Sequence, residues 1–105
     1  MTRKAQVEAM LAEDPDNSLL RYALAMEHAS EGDDLSALRE LRELHRRDPG
    51  YVPAYLQAGR ALTRLGEEDD ARAILRTGIH VAQRAGDSHA AGEMQGLLES
   101  LGPES

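Results

Sequence analysis

The dipeptide Asp-Pro occurs twice, as Asp14-Pro15 and Asp48-Pro49, 34 residues apart (14 to 48). Gly32 and Gly66 share that offset, as do Ala37 and Ala71. Proline lacks the amide that a helix interior needs and pushes the residue before it out of the α region. Each Asp-Pro therefore closes one helix and sets the direction of the next. A period of this length across helix-like segments marks an array of repeats, each burying its apolar face against its neighbours.

The residues between these marks read as six helices. Residues 3–13 carry a modest apolar stripe (Ala5, Val7, Met10, Leu11) and stop at Asp14-Pro15. Asp16, Asn17 and Ser18 are all suitable caps for a second helix, 18–31, with Leu19, Leu20, Ala23, Leu24 and Met26 as its apolar positions. Gly32 supplies a tight turn. Asp33 and Asp34 open a third helix, 34–47, whose buried stripe is expected to be Leu35, Leu38, Leu41 and Leu44, with Ala37 and His45 beside it. Its opposite face (Arg39, Glu40, Arg42, Glu43, Arg46, Arg47) reads as solvated. A fourth helix, 52–65, takes Pro53 in its first turn, where a missing amide is harmless, and ends at Gly66. A fifth, 68–84, presents Ala71, Ile74, Leu75, Gly78, Ile79 and Ala82. The last, 88–101, follows Gly86-Asp87 and presents Ala90, Ala91, Met94, Leu97, Leu98 and Leu101, leaving residues 102–105 as a tail expected to fray. Short connections and the absence of Phe and Trp favour an all-α, antiparallel helix-hairpin stack (an α-solenoid) in a single domain.

This pattern resembles the tetratricopeptide repeat family, whose repeats place large residues at positions 4, 7, 11 and 24, small ones at 8, 20 and 27, and proline at 32. With Ser18 as position 1, these include Leu24, Ala25, Ala37, Leu41 and Pro49; with Val52 as position 1, they include Tyr55, Gly59, Leu62, Ala71, Leu75 and Gly78. Small residues are needed where helices cross closely. The resemblance implies a half-repeat (1–17), two full repeats (18–51 and 52–85) and a capping helix (86–101). Three positions depart from it: Arg21 replaces an aromatic, Leu44 a small residue and Gln83 a proline. The missing proline lets the fifth helix run to Arg84, and the stripe Ala91, Met94, Leu98 fits a register shifted by two residues, which ends the array.

The resemblance also implies a role: protein–protein interaction as an adaptor or scaffold, without catalysis, through a concave groove lined by the first helix of each repeat. Its positions 2, 5, 9, 12 and 13 fall on Leu19, Tyr22, Met26, Ala29 and Ser30, then on Pro53, Leu56, Arg60, Thr63 and Arg64. Such a groove is apolar toward one side and basic toward the other, suited to a peptide with hydrophobic anchors and an acidic group. The competing reading makes Leu19, Met26 and Leu56 part of the core and Arg60 and Arg64 a solvated face. Tyr22 and Met26 stand where chaperone-binding members carry a clamp for a terminal carboxylate, so chaperone docking is not expected. A self-associating structural module, a homodimer covering the edge of the weak first helix, is the alternative.

Other chemistry finds little support. A net charge of −7 disfavours nucleic acid and anionic membrane surfaces as partners. No apolar run reaches the ~18 residues of a membrane span and no signal-peptide core follows Met1-Thr2-Arg3-Lys4, so a cytoplasmic location is expected. Cysteine is absent. His28, His45, His80 and His89 form no i,i+4 pair, and Glu67 to Asp70 lack the alternating ligands of a calcium loop, so neither metal nor cofactor is expected. Gly92 and Gly96 mark close packing or a weaker helix, not a membrane contact. No nucleophile elbow, phosphate loop or acid–base pair is present, so catalysis is not expected.

Overall fold

The computed structural model describes residues 1–103. Among the described residues there are six helices: α1 (Arg3–Glu13), α2 (Ser18–Ser30), α3 (Asp34–Arg47), α4 (Val52–Arg64), α5 (Glu68–Arg84) and α6 (Ser88–Ser100). There is no strand among the described residues. Successive helices pack against each other, and α4 also touches α6, giving a stack of 44 × 29 × 20 Å.

Local chemistry fixes the boundaries. Of the three residues suited to cap α2, Asn17 does so, accepting from the Leu20 amide at 3.0 Å. Asp33 and Asp87 accept from the amides of Ser36 and Ala90 in the same way. At the other end, Gly32, Gly66 and Gly86 adopt φ of +79°, +78° and +73°, the left-handed turn that glycine enters without penalty. The amides of Asp33, Glu67 and Asp87 then reach back to the carbonyls of His28, Leu62 and Ala82. The first two closures end α2 and α4, 34 residues apart (28 to 62), whereas the third ends α5, where the equivalent end of α3 has Asp48-Pro49 instead of a glycine turn.

Two core clusters follow the stack. Leu38, Leu41 and Leu44 meet Ala25, Ala54, Ala58, Leu62 and Ala71, while Val52, Tyr55, Leu75 and Ala82 meet Met94. A smaller cluster of Val7, Leu11 and Leu24 attaches α1, reinforced by ion pairs Arg3–Glu27 (2.7 Å) and Lys4–Glu31 (3.2 Å). In α6, Met94 is fully buried while Glu93 and Gly96 are exposed, in line with the shifted register.

Leu35 does not belong to the buried stripe of α3: it is 70 % exposed. Leucines spaced strictly by three drift about 60° per step around a helix of 3.6 residues per turn. With Leu41 at the centre, Leu38 and Leu44 stay inside the stripe and Leu35 falls roughly 120° away, outside it. Leu19 is also exposed, at 66 %. Gly102 is held rather than frayed, its carbonyl accepting from Arg72 at 3.2 Å; Glu104 and Ser105 of the expected tail lie outside the described residues.

The departures at Arg21 and Leu44 have structural answers. Arg21 is nearly buried, with Nη1 on Glu40 at 2.7 Å and Nη2 on the Pro15 carbonyl at 3.0 Å. One repeat later, the Tyr55 hydroxyl donates to the Pro49 carbonyl. Two different side chains thus make the same bond, each tying the start of a helix to the preceding Asp-Pro. Leu44 is 1 % exposed in the cluster that contains Ala54 and Ala58, whose small side chains leave room for it.

Candidate functional site

On α2, Leu19, Tyr22, Met26 and Ser30 follow one another at helical spacing of three and four; on α4, Leu56, Arg60 and Thr63 do the same, and Arg64, next to Thr63, lies four residues after Arg60. The structure brings part of these two rows together. The rings of Tyr22 and Tyr51 meet at 5.6 Å in a tilted arrangement, joining α2 to the start of α4. Burial raises the Tyr22 hydroxyl above its ordinary pKa, partly offset by a hydrogen bond to Gln57 and by the charge of Arg60, so Tyr22 and Arg60 share one environment. Tyr22 and Met26 are half-buried against the first core cluster and Leu56 against the second, leaving Leu19 as the open apolar contact.

The polar members are more committed than position counting suggests. The hydroxyls of Ser30 and Thr63 donate to the carbonyls of Glu27 and Gly59 on their own helices, at 2.8 Å each. Arg64 pairs with Asp34 of α3 at 2.9 Å, and Arg60 lies 4.0 Å from Glu93 of α6. Both arginine side chains remain nearly half exposed, so these pairs are weak and open to exchange. The charge of Arg60 and Arg64 is thus partly balanced by the chain's own carboxylates.

Three features had no counterpart in the sequence reading. Arg72 is 5 % exposed and donates to the carbonyls of Leu101 (2.9 Å) and Gly102 (3.2 Å), which binds the end of α6 to α5. Arg47 crosses to Asp16 at 2.7 Å and to the Pro15 carbonyl at 3.2 Å. His45 lies flat on Tyr55, with ring centroids 4.1 Å apart and planes 13° from parallel. Its Nε2 is buried without a hydrogen-bond partner.

Desolvation holds the His45 imidazole below its ordinary pKa, offset in part by a hydrogen bond to the Ala54 backbone and aided by the Arg42 charge. The unfolded chain then takes up the proton first as pH falls through about 6.5. The stability from neutral His45 is complete above that value and is lost as pH falls toward the lower folded-state pKa. The midpoint of urea unfolding should drop between about pH 7 and pH 5, and His45→Phe should flatten that slope. An unchanged slope in the variant would assign the effect elsewhere.

No group of three or more potential metal ligands occurs among the described residues, and among them no helix is long and apolar enough to cross a membrane.

The tetratricopeptide repeat family model matches residues 28–92. The TPR repeat-containing protein PA0015 of Pseudomonas aeruginosa is 33 % identical over 95 residues, 90 % of each chain. The solution structure of protein BPP2914 from Bordetella parapertussis superposes with a TM-score of 0.84 at 34 % identity, covering 96 % of this chain and 88 % of that one. The crystal structure of a tetratricopeptide repeat domain protein from Salinibacter ruber gives 0.77 at 34 % identity, over 81 % of this chain and 94 % of that one. A repeat of 34 residues, its caps and closures, the packed small residues and these likenesses agree: the chain belongs to the tetratricopeptide repeat family.

Proposed function

We propose that this repeat domain is an interaction module that holds a peptide segment of a partner protein against α2 and α4, without chemistry of its own. The observation that carries the reading is the exposed Leu19 beside the half-buried Tyr22–Tyr51 pair, an apolar surface bordered by Arg60. Tyrosine offers a large contact area with few rotatable bonds, and Met26 beside it adapts to differently shaped anchors. An acidic group on the segment competes with Glu93 and Asp34 for Arg60 and Arg64. Because each of those pairs is worth at most about 1 kcal/mol, exchange costs little.

Replacing Arg60 and Arg64 together by glutamate should weaken capture of the partner roughly tenfold or more, as like charges meet at the groove, while leaving far-UV circular dichroism unchanged. Undiminished capture by the double variant refutes this assignment. Self-association through the α1 edge has little to work with: Val7 and Leu11 are buried and Met10 is the large apolar side chain left exposed within the helix.

A further inference from the structure

The back of the stack carries a second surface. Between α3 and α5 lies a cleft of about 240 Å³, floored by Ala58 and Leu62 of α4 and walled by Leu38 and Arg42 on one side and Asp70 and Ile74 on the other. It continues toward the start of α3 into a lobe of about 310 Å³ that Leu35 lines. Leu35 is among the most exposed large apolar side chains of the protein, and it stands at the open end of this cleft.

The charges along the cleft are segregated. Its α3 side carries the cation Arg42. Its α5 side is acidic, with Glu67 and Asp70. Arg42, Glu67 and Asp70 form no ion pair among the described residues. An apolar strip with a cationic edge on one side and an anionic edge on the other is complementary to itself under a twofold rotation that places α3 of one copy over α5 of the other. Each Arg42 then meets the other copy's acidic edge, twice over, and each Leu35 gains a cleft to enter. A generic acidic ligand would satisfy the α3 edge and be repelled by the α5 edge.

We infer that the α3–α5 cleft is the interface of a homodimer, formed by this back face and independent of the groove on α2 and α4. The test is a charge exchange. Sedimentation velocity from roughly 1 µM to 1 mM should show concentration-dependent dimerisation of the wild type. Arg42→Glu and Asp70→Arg should each weaken it at least about tenfold, because each places like charges opposite one another. An equimolar mixture of the two variants should recover the dimer as a heterodimer, visible by native mass spectrometry when one variant carries a mass tag. Both positions are exposed, and far-UV circular dichroism checks that the variants fold. Arg60→Glu should leave the dimer unchanged, which separates this interface from the groove. A wild type that stays monomeric to about 1 mM, a dimer insensitive to either variant, or a mixture that fails to recover overturns the inference.

Discussion

Arg21→Ala should lower the unfolding free energy by about 3 kcal/mol, the low end of the range for removing one partner of a buried ion pair. The low end applies because Arg21 and Glu40 keep side-chain exposures of 11 % and 18 %, so water partly solvates the carboxylate left behind. The substitution also leaves the Pro15 carbonyl without the Arg21 donor, at about 1 kcal/mol for an ordinary hydrogen bond. Arg47 reaches the same carbonyl at 3.2 Å and limits that part of the loss. Urea unfolding followed by circular dichroism measures the sum. Arg21→Tyr with Glu40→Ala should recover most of it. The tyrosine can copy the hydroxyl-to-proline bond that Tyr55 makes one repeat later, and no carboxylate is stranded. A loss below about 1 kcal/mol for Arg21→Ala would place this pair with screened surface pairs instead.

Arg21 also shows where sequence reading stops. Helix bounds were legible because they depend on neighbours in the chain: Asn17, Asp33 and Asp87 cap residues three positions on, and the glycines close the turns beside them. The observed ends of α2, α4 and α6 fall one residue short of expectation, at Ser30, Arg64 and Ser100. The shifted register of α6 was legible from its apolar stripe alone. Arg21 read only as a departure from an aromatic position, because its partner Glu40 lies on another helix and no periodicity links the two. Glu40 itself looked like part of a solvated face. Arg72 escaped for the same reason, since the carbonyls it holds come from the far end of α6.

The proposed groove divides along similar lines. Tyr22 and Arg60 could be placed on facing rows by position, and they do share an environment. The carboxylates that balance Arg60 and Arg64 belong to α6 and α3, outside the rows that position counting addresses. The drift of Leu35 off its stripe was visible in the spacing itself. Its consequence, an open cleft with α5, required the neighbouring helix.

Leu75→Ala should cost about 3–4 kcal/mol, and Gly59 decides how that loss responds to a second change. Leu75 is fully buried, and a Cβ added at Gly59 would lie 2.5 Å from its Cδ2 and 2.8 Å from its Cγ. In the wild type, Gly59→Ala gains about 1 kcal/mol of helix propensity but forces a contact that overpacking data price at about 1–3 kcal/mol. The net effect is a loss. Once Leu75 is shortened to alanine, the atoms that Cβ would strike are gone. The added methyl then fills part of the cavity and keeps its propensity gain, so Gly59→Ala becomes stabilising. The double variant should therefore be more stable than Leu75→Ala alone, with a coupling of at least about 1 kcal/mol, within the range seen for residues in contact. Thermal unfolding resolves this, since each kcal/mol shifts the midpoint by about 4 °C or more in a domain of this size. Additive losses would mean that α4 and α5 relax apart to admit the methyl group, and that the close crossing does not set the spacing of the second repeat.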